Sequence, residues 1–192
     1  MPVLHVFGRA GRSSPVPVAT VDNVAGGSLV GEAMLACGRK RLAFIGGSAH
    51  DASTIDRGDG FARAVGNALT RSIHAGDYTH EHGRKAMLGL LDEGKPIDAV
   101  FCADDVLALG AIDACRERGV TVPDDIAVVG FDDMPLASWA SYSLTTVRQP
   151  IRAMVLHAIE RIVAWTGDDT ATPRSRLFPC ELVWRDSLRK PA

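Results

Sequence analysis

The sequence predicts an α/β protein built on a doubly wound parallel sheet, and two observations carry that expectation. Short apolar runs of strand length alternate with amphipathic runs of helix length almost to the carboxyl end. Several of the strand-length runs are apolar throughout, as strands covered by helices on both faces must be. A β-α-β-α rhythm makes successive strands parallel through helical crossovers, and ligands of such sheets bind beyond the carboxyl ends of the strands.

The elements follow in order. Strands are expected at 3–7, 18–21, 42–45, 72–74, 99–102, 126–129, 144–147 and 177–183, all short and rich in Val, Ile, Leu and Phe. A helix over 25–37 places Leu29, Ala33, Met34 and Cys37 on one face and stops at Gly38. The pattern at 57–69 groups Phe61, Ala64, Val65 and Ala68, and that at 80–91 groups Ala86, Leu88, Leu90 and Leu91. A helix over 106–118 ends at Gly119 with cations in its last turn, a normal C-terminal signal. The last helix, 151–165, carries Met154, Leu156, Ile159, Ile162 and Val163. Residues 167–173, Gly-Asp-Asp-Thr-Ala-Thr-Pro, read as an exposed turn-rich loop.

Composition narrows the function. With 46% hydrophobic and 23% charged residues, the 192-residue chain reads as globular rather than disordered. A formal charge of −2 without a Lys/Arg stripe argues against this stretch gripping nucleic acid by itself, because phosphate neutralisation needs clustered cations. No apolar run reaches membrane-spanning length, and Met1-Pro2-Val3-Leu4-His5 is not a secretion signal. Cys37, Cys102, Cys115 and Cys180 form no C-x-x-C pair, so reduced, buried thiols in a cytoplasmic protein are expected.

Polar residues at strand ends are the informative positions. The strand at 99–102 runs into Ala103-Asp104-Asp105, and that at 126–129 into Gly130-Phe131-Asp132-Asp133. The strand at 42–45 runs into Gly46-Gly47 and on to Arg57 at the head of a helix; 72–74 leads to Gly76-Asp77-Tyr78. In a parallel sheet Arg57, Tyr78, Asp104 and Asp132 face one crevice, and their chemistry suits a polyhydroxylated ligand. Carboxylates accept from vicinal hydroxyls, a guanidinium donates in a fixed fork, and an aromatic face packs on sugar C–H groups. Asp105 and Asp133 read instead as caps, with Asp105 capping the helix that follows it. His74, His80 and His82 with Glu81 lack the spacing of a metal site, and neither a catalytic triad nor a cofactor motif stands out.

Several stretches together resemble the lactose-repressor (LacI/GalR) family of transcription regulators. They are Val21-Asp22-Asn23; Gly38-Arg39-Lys40-Arg41-Leu42-Ala43-Phe44-Ile45-Gly46-Gly47; Arg57 with Gly60-Phe61; Gly76-Asp77-Tyr78; Ala103-Asp104-Asp105; Val122-Pro123-Asp124-Asp125; Gly130-Phe131-Asp132-Asp133; Leu144-Thr145-Thr146-Val147-Arg148-Gln149-Pro150; and Arg185-Asp186-Ser187. The resemblance implies a periplasmic-binding-protein-like core of two α/β lobes, with a small-molecule effector held between them by Arg57, Tyr78, Asp104 and Asp132. It implies a cytoplasmic, dimeric, non-enzymatic sensor without a cofactor. Asp104 stands where sugar-binding members commonly carry Asn, which implies a ligand with a different donor pattern.

The match begins only at 3–7, so the amino-terminal lobe is expected to be incomplete and DNA to be bound only through a head absent from this chain. Residues 1–40 and 142–166 are expected to be the remnant of that lobe, with 41–141 and 177–185 forming the carboxyl-terminal one. A half-built lobe should leave apolar faces such as Leu29/Met34 without partners and favour self-association. The alternatives are a solute-binding protein of the same fold, and a Mg²⁺-dependent phosphoryl-transfer enzyme using the strand-end Asp pairs. The second is disfavoured because Lys40, Lys85, Lys95 and Lys190 all lie away from strand termini.

Overall fold

The computed structural model describes residues 3–8, 16–167 and 174–191, so most of the loop expected at 167–173 lies outside the described residues. The chain alternates as expected: β1 (His5–Val6), β2 (Val18–Val21), α1 (Asn23–Ala36), β3 (Leu42–Gly46), α2 (Ala52–Val65), β4 (Leu69–His74), α3 (His80–Asp92), β5 (Ala99–Cys102), α4 (Asp105–Glu117), β6 (Ala127–Asp132), β7 (Thr145–Arg148), α5 (Ile151–Gly167), β8 (Arg176–Phe178) and β9 (Glu181–Val183). The strands form two sheets. One has the order β1-β2-β8 and the other β4-β3-β5-β6-β7-β9. Pairing is parallel throughout except for β9, which runs antiparallel to β7.

The core of the larger sheet follows from its apolar central strands. All residues of β3 and β5 are buried, and Phe44, Phe61 and Phe101 stack in a tilted cluster with ring centroids 5.3–6.2 Å apart. Helices α1 and α2 cross at backbone contact. A Cβ at Gly27 would lie 2.0 Å from the Arg57 carbonyl oxygen, and one at Gly60 would lie 2.0 Å from that of Val24. Only glycine permits this approach, and the crossing fixes the helix that carries Arg57.

Several expectations are corrected. The helix expected from residue 57 begins at Ala52, because the Asp51 carboxylate accepts from the Ser53 amide and caps it there; Arg57 sits in its second turn. The strand expected at 177–183 is two strands in different sheets, interrupted at Pro179, which has no amide proton to donate to a ladder.

The expected division of the chain shifts accordingly. Thr145–Arg148, assigned to the 142–166 remnant, is instead β7, with Thr145, Thr146 and Val147 buried between β6 and β9. Within 1–40, α1 packs against α2 of the larger sheet, and residues 177–178 of the 177–185 segment pair with β2 of the smaller one. Met34 is wholly buried rather than unpartnered. The exposed apolar stripe lies on α5, where Ile151, Leu156 and Ile159 reach solvent while Met154 and Ala158 are buried.

Candidate functional site

Among the described residues three chain crossings join the two sheets, at Asp22, at Gln149-Pro150 and at Pro179-Cys180. Between the sheets, at the carboxyl ends of the parallel strands, lies a cleft of about 230 Å³ lined by Phe7, Gly8, Asp51, Ser53, Arg57, Tyr78, Asp104, Asp132 and Gln149. All four side chains expected to meet, Arg57, Tyr78, Asp104 and Asp132, line this one cleft.

Arg57 is the buried centre of the wall. Its Nε donates to Asn23 Oδ1 at 2.8 Å, and its Nη1 donates to the Ala103 carbonyl at 2.5 Å. Nη2 lies 3.5 Å from Asp132 Oδ1, and the guanidinium stacks 3.7 Å above the Phe131 ring. The arginine therefore ties α1, the β5–α4 turn and the end of β6 together. Such a planar fork, held on three sides, is a rigid donor platform.

Asp132 ends β6 with a φ of 114°, and Asp133 follows at 53°. These angles are uncommon for residues with side chains and cost of order 1–3 kcal/mol each. Ion pairs from Asp133 to Arg148 and to Arg185, both 2.6 Å, hold the turn. Gln149 donates its side-chain amide to Asp132. Burial raises the Asp132 carboxyl and Arg57 opposes the shift.

Asp104 caps α4 by accepting from the Leu107 amide at 2.8 Å. Burial raises its pKa to about 6, against the Leu107 bond that lowers it. Tyr78 shares a short hydrogen bond with Thr54, and burial pushes its hydroxyl up to about 12. It stays protonated, a donor at every ordinary pH.

The expected roles of the neighbouring acids change. Asp104, not Asp105, is the helix cap. Asp105 is fully buried and accepts from Thr146 Oγ1 at 2.5 Å and from the Met134 amide at 2.7 Å, locking α4 to β7 and to the turn after β6. Burial raises it to about 7, against the two bonds that lower it. With the folded pKa above the unfolded value, the native state binds the extra proton between about pH 4 and 7, so stability falls as pH rises through that window. Lowering the pH from about 8 to about 5.5 is expected to strengthen the wild type by about 2 kcal/mol through this group. Urea midpoints across the range should show a clearly shallower slope in Asp105→Asn than in the wild type, the remainder coming from Asp104 and Asp132, whose carboxyls burial also raises; equal slopes would reject the assignment.

Sequence reasoning missed Phe7, Gly8, Asp51, Ser53 and Gln149 as cleft residues, and Asn23 as the partner of Arg57. Gln149 and Asn23 are polar groups just past the carboxyl ends of β7 and β2, the same signal that pointed to Asp132. His80 pairs with Asp113 at 2.8 Å and His82 with Thr79 at 2.6 Å. Among the described residues no group of three His, Cys, Asp or Glu side chains is arranged to hold a metal. The cysteines are unpaired thiols, Cys102 and Cys115 buried and Cys37 and Cys180 half-buried.

A model of the periplasmic binding protein-like domain matches residues 32–188. The chain belongs to that family. Within it, this periplasmic binding protein-like chain sits with the LacI-type regulators and covers their effector-binding region. It is 31% identical over 194 residues to the HTH-type transcriptional regulator CelR of Thermobifida fusca, covering 96% of this chain and 56% of that one. It is 32% identical over 178 residues to the HTH-type transcriptional repressor CytR of Escherichia coli, covering 91% and 52%. The chain thus spans about half the length of the curated relatives it matches. Among solved structures, the lac repressor dimer bound to operator and the anti-inducer ONPF aligns with a TM-score of 0.88 at 26% identity, covering 98% of this chain and 66% of that one. The complex of the transcriptional regulator CelR with cellobiose aligns with a TM-score of 0.84 at 28% identity, covering 96% and 65%. These relatives are named as regulators, not enzymes. In the periplasmic binding protein-like chain itself, no described helix is long and apolar enough to cross a membrane.

Proposed function

We propose that this chain is the ligand-sensing region of a bacterial, cytoplasmic LacI-type transcriptional regulator, and that it binds a small polyhydroxylated metabolite of the sugar class. Arg57, Tyr78, Asp104 and Asp132 are the ligand-binding residues in this reading. The observation that carries it is their convergence, with Gln149, on one cleft at the strand ends. The CelR–cellobiose complex, a sugar-bound relative of the same fold, supports the ligand class.

The mechanism follows from the three crossings. A ligand touching Phe7 and Gly8 on the small-sheet side and Arg57, Tyr78 and Asp132 on the other favours the arrangement that satisfies both sets. Differential affinity for two arrangements of the sheets is what a sensor transmits. In the dimeric regulator it is passed to a DNA-binding head outside this chain; the lac repressor dimer on its operator is the relative that motivates this step.

A thermal-shift screen of sugars and nucleosides tests the reading. A ligand at a hundred times its Kd stabilises by about 2.7 kcal/mol, which for a chain of this size raises the melting temperature by about 5–10 °C. A hit must lose its shift in Asp132→Ala. A shift of the same size in that variant would move the site elsewhere.

A further inference from the structure

Asp132 reaches the cleft from a backbone that an aspartate rarely adopts unaided. Its φ of 114° and the 53° of Asp133 both lie in the left-handed range that favours glycine. Such a turn persists only where its surroundings over-determine it. Its braces can be ranked.

Neither Asp133 nor Arg185 is among the residues lining the cleft. The Asp133 side chain is 11% exposed and lies between two arginines. Burial would raise its carboxyl, but Arg185 and Arg148 hold it below its ordinary value. Arg148 is half exposed and divides its guanidinium between Asp133 and Glu181; exposed pairs of this kind contribute little.

Arg185 is better placed, at 17% exposure. Its Nη2 donates to Asp133 Oδ1 at 2.6 Å and its Nη1 to the Leu144 carbonyl at 2.7 Å. Its own amide donates to Thr145 Oγ1 at 2.8 Å. The side chain is thus anchored at the start of β7 before it reaches the turn, and a fork held in this way loses little further freedom in the pair. On the inner side of the same turn, Asp105 accepts from the Met134 amide. Residues 133 and 134 are pinned from two sides, and Asp132 is left facing Arg57.

We propose that Arg185 is a positioning residue for the ligand: acting through Asp133, it fixes the backbone that presents the Asp132 carboxylate to the cleft. This rests on the sensor reading above.

Calorimetry on the full chain, with glucose, galactose and ribose as probes and urea midpoints alongside, tests this. For the probe that the wild type binds best, Arg185→Ala should weaken binding about tenfold, within the range for coupled residues of one network. Asp133→Asn keeps a residue tolerant of positive φ and should do the same. Adding Arg185→Ala to it should cost less than about threefold more, because the two act as a unit. Arg148→Ala should cost about threefold or less. Ser187→Ala is the control, since it cuts buried hydrogen bonds to the Val128 carbonyl and from the Thr145 amide in the same terminal segment. It should lower the urea midpoint yet leave affinity within about twofold. Fully additive losses in the double variant, or a loss in Arg148→Ala or Ser187→Ala equal to that in Arg185→Ala, would overturn the proposal and leave the sensor reading standing.

The Asp132 carboxyl signal, followed by carbon NMR through a pH titration without ligand, gives a second readout. Its midpoint should move in Arg185→Ala, because a displaced carboxyl changes both its burial and its distance from Arg57, and should hold in Ser187→Ala. An unmoved midpoint in Arg185→Ala overturns the proposal, whichever probes bind. Should no probe bind the wild type, that result counts against the sugar reading, and the carboxyl signal alone decides the role of Arg185.

Discussion

Replacing Arg57 by alanine is expected to abolish ligand binding and to destabilise the free protein by about 3 kcal/mol, the scale of breaking a buried charge pair. The side chain is buried and joins Asn23, Ala103, Asp132 and the Phe131 ring. Its removal leaves the Asn23 side-chain oxygen without that donor and Asp132 without its countercharge in a partly dry site. The strained backbone at Asp132 is then held by the Gln149 hydrogen bond and the Asp133 ion pairs, without the arginine. For a ligand bonded to this wall, the loss should be about 100-fold in affinity or more. Arg57→Lys should fold better than the alanine variant yet bind poorly, because an ammonium cannot reproduce the fork. Titration calorimetry and urea midpoints give the two readouts separately. An unchanged Kd in Arg57→Ala would remove this residue from the site.

The second large effect is expected from helix packing rather than from a cleft side chain. Gly27→Ala or Gly60→Ala should each destabilise by about 3 kcal/mol, at the upper end for overpacking, because the added methyl meets backbone rather than a movable side chain. The contact would be 2.0 Å in both cases, on the carbonyl oxygens of Arg57 and Val24. The helices must separate, and Arg57 moves with α2, so ligand affinity should fall together with stability. Gly89→Ala in α3 is the control. Nothing lies within 4 Å of the added Cβ, and the variant should gain about 0.5–1 kcal/mol from helix propensity. Denaturant midpoints that move the same way for Gly27→Ala and Gly89→Ala would refute the packing argument.

How much of the site could be read in advance depended on distance along the chain. Asp104 and Asp132 were legible because they stand at the ends of apolar strands, Tyr78 and Arg57 because they lie in the connections and helix that follow strands, and parallel strands carry these ends to one rim. The choice between Asp104 and Asp105 as the helix cap was not legible. Two adjacent carboxylates offer the same local signal, and what separates them is Thr146, 41 positions away, which draws Asp105 inward. Asn23 was likewise invisible as a partner, since its contact with Arg57 spans 34 positions.

Local pattern alone determined the α/β class, the order of the elements and most of their limits, because hydrophobic period, capping and stop signals act within a few residues. Only the tertiary structure decided which sheet each late strand joins. β7 lies between β6 and β9, while β8 crosses to β2 before Pro179 returns the chain. Those choices rest on ladder bonds and burial between segments distant along the chain, by more than a hundred residues for β2 and β8. A strand's own residues specify that it must be covered, not by what.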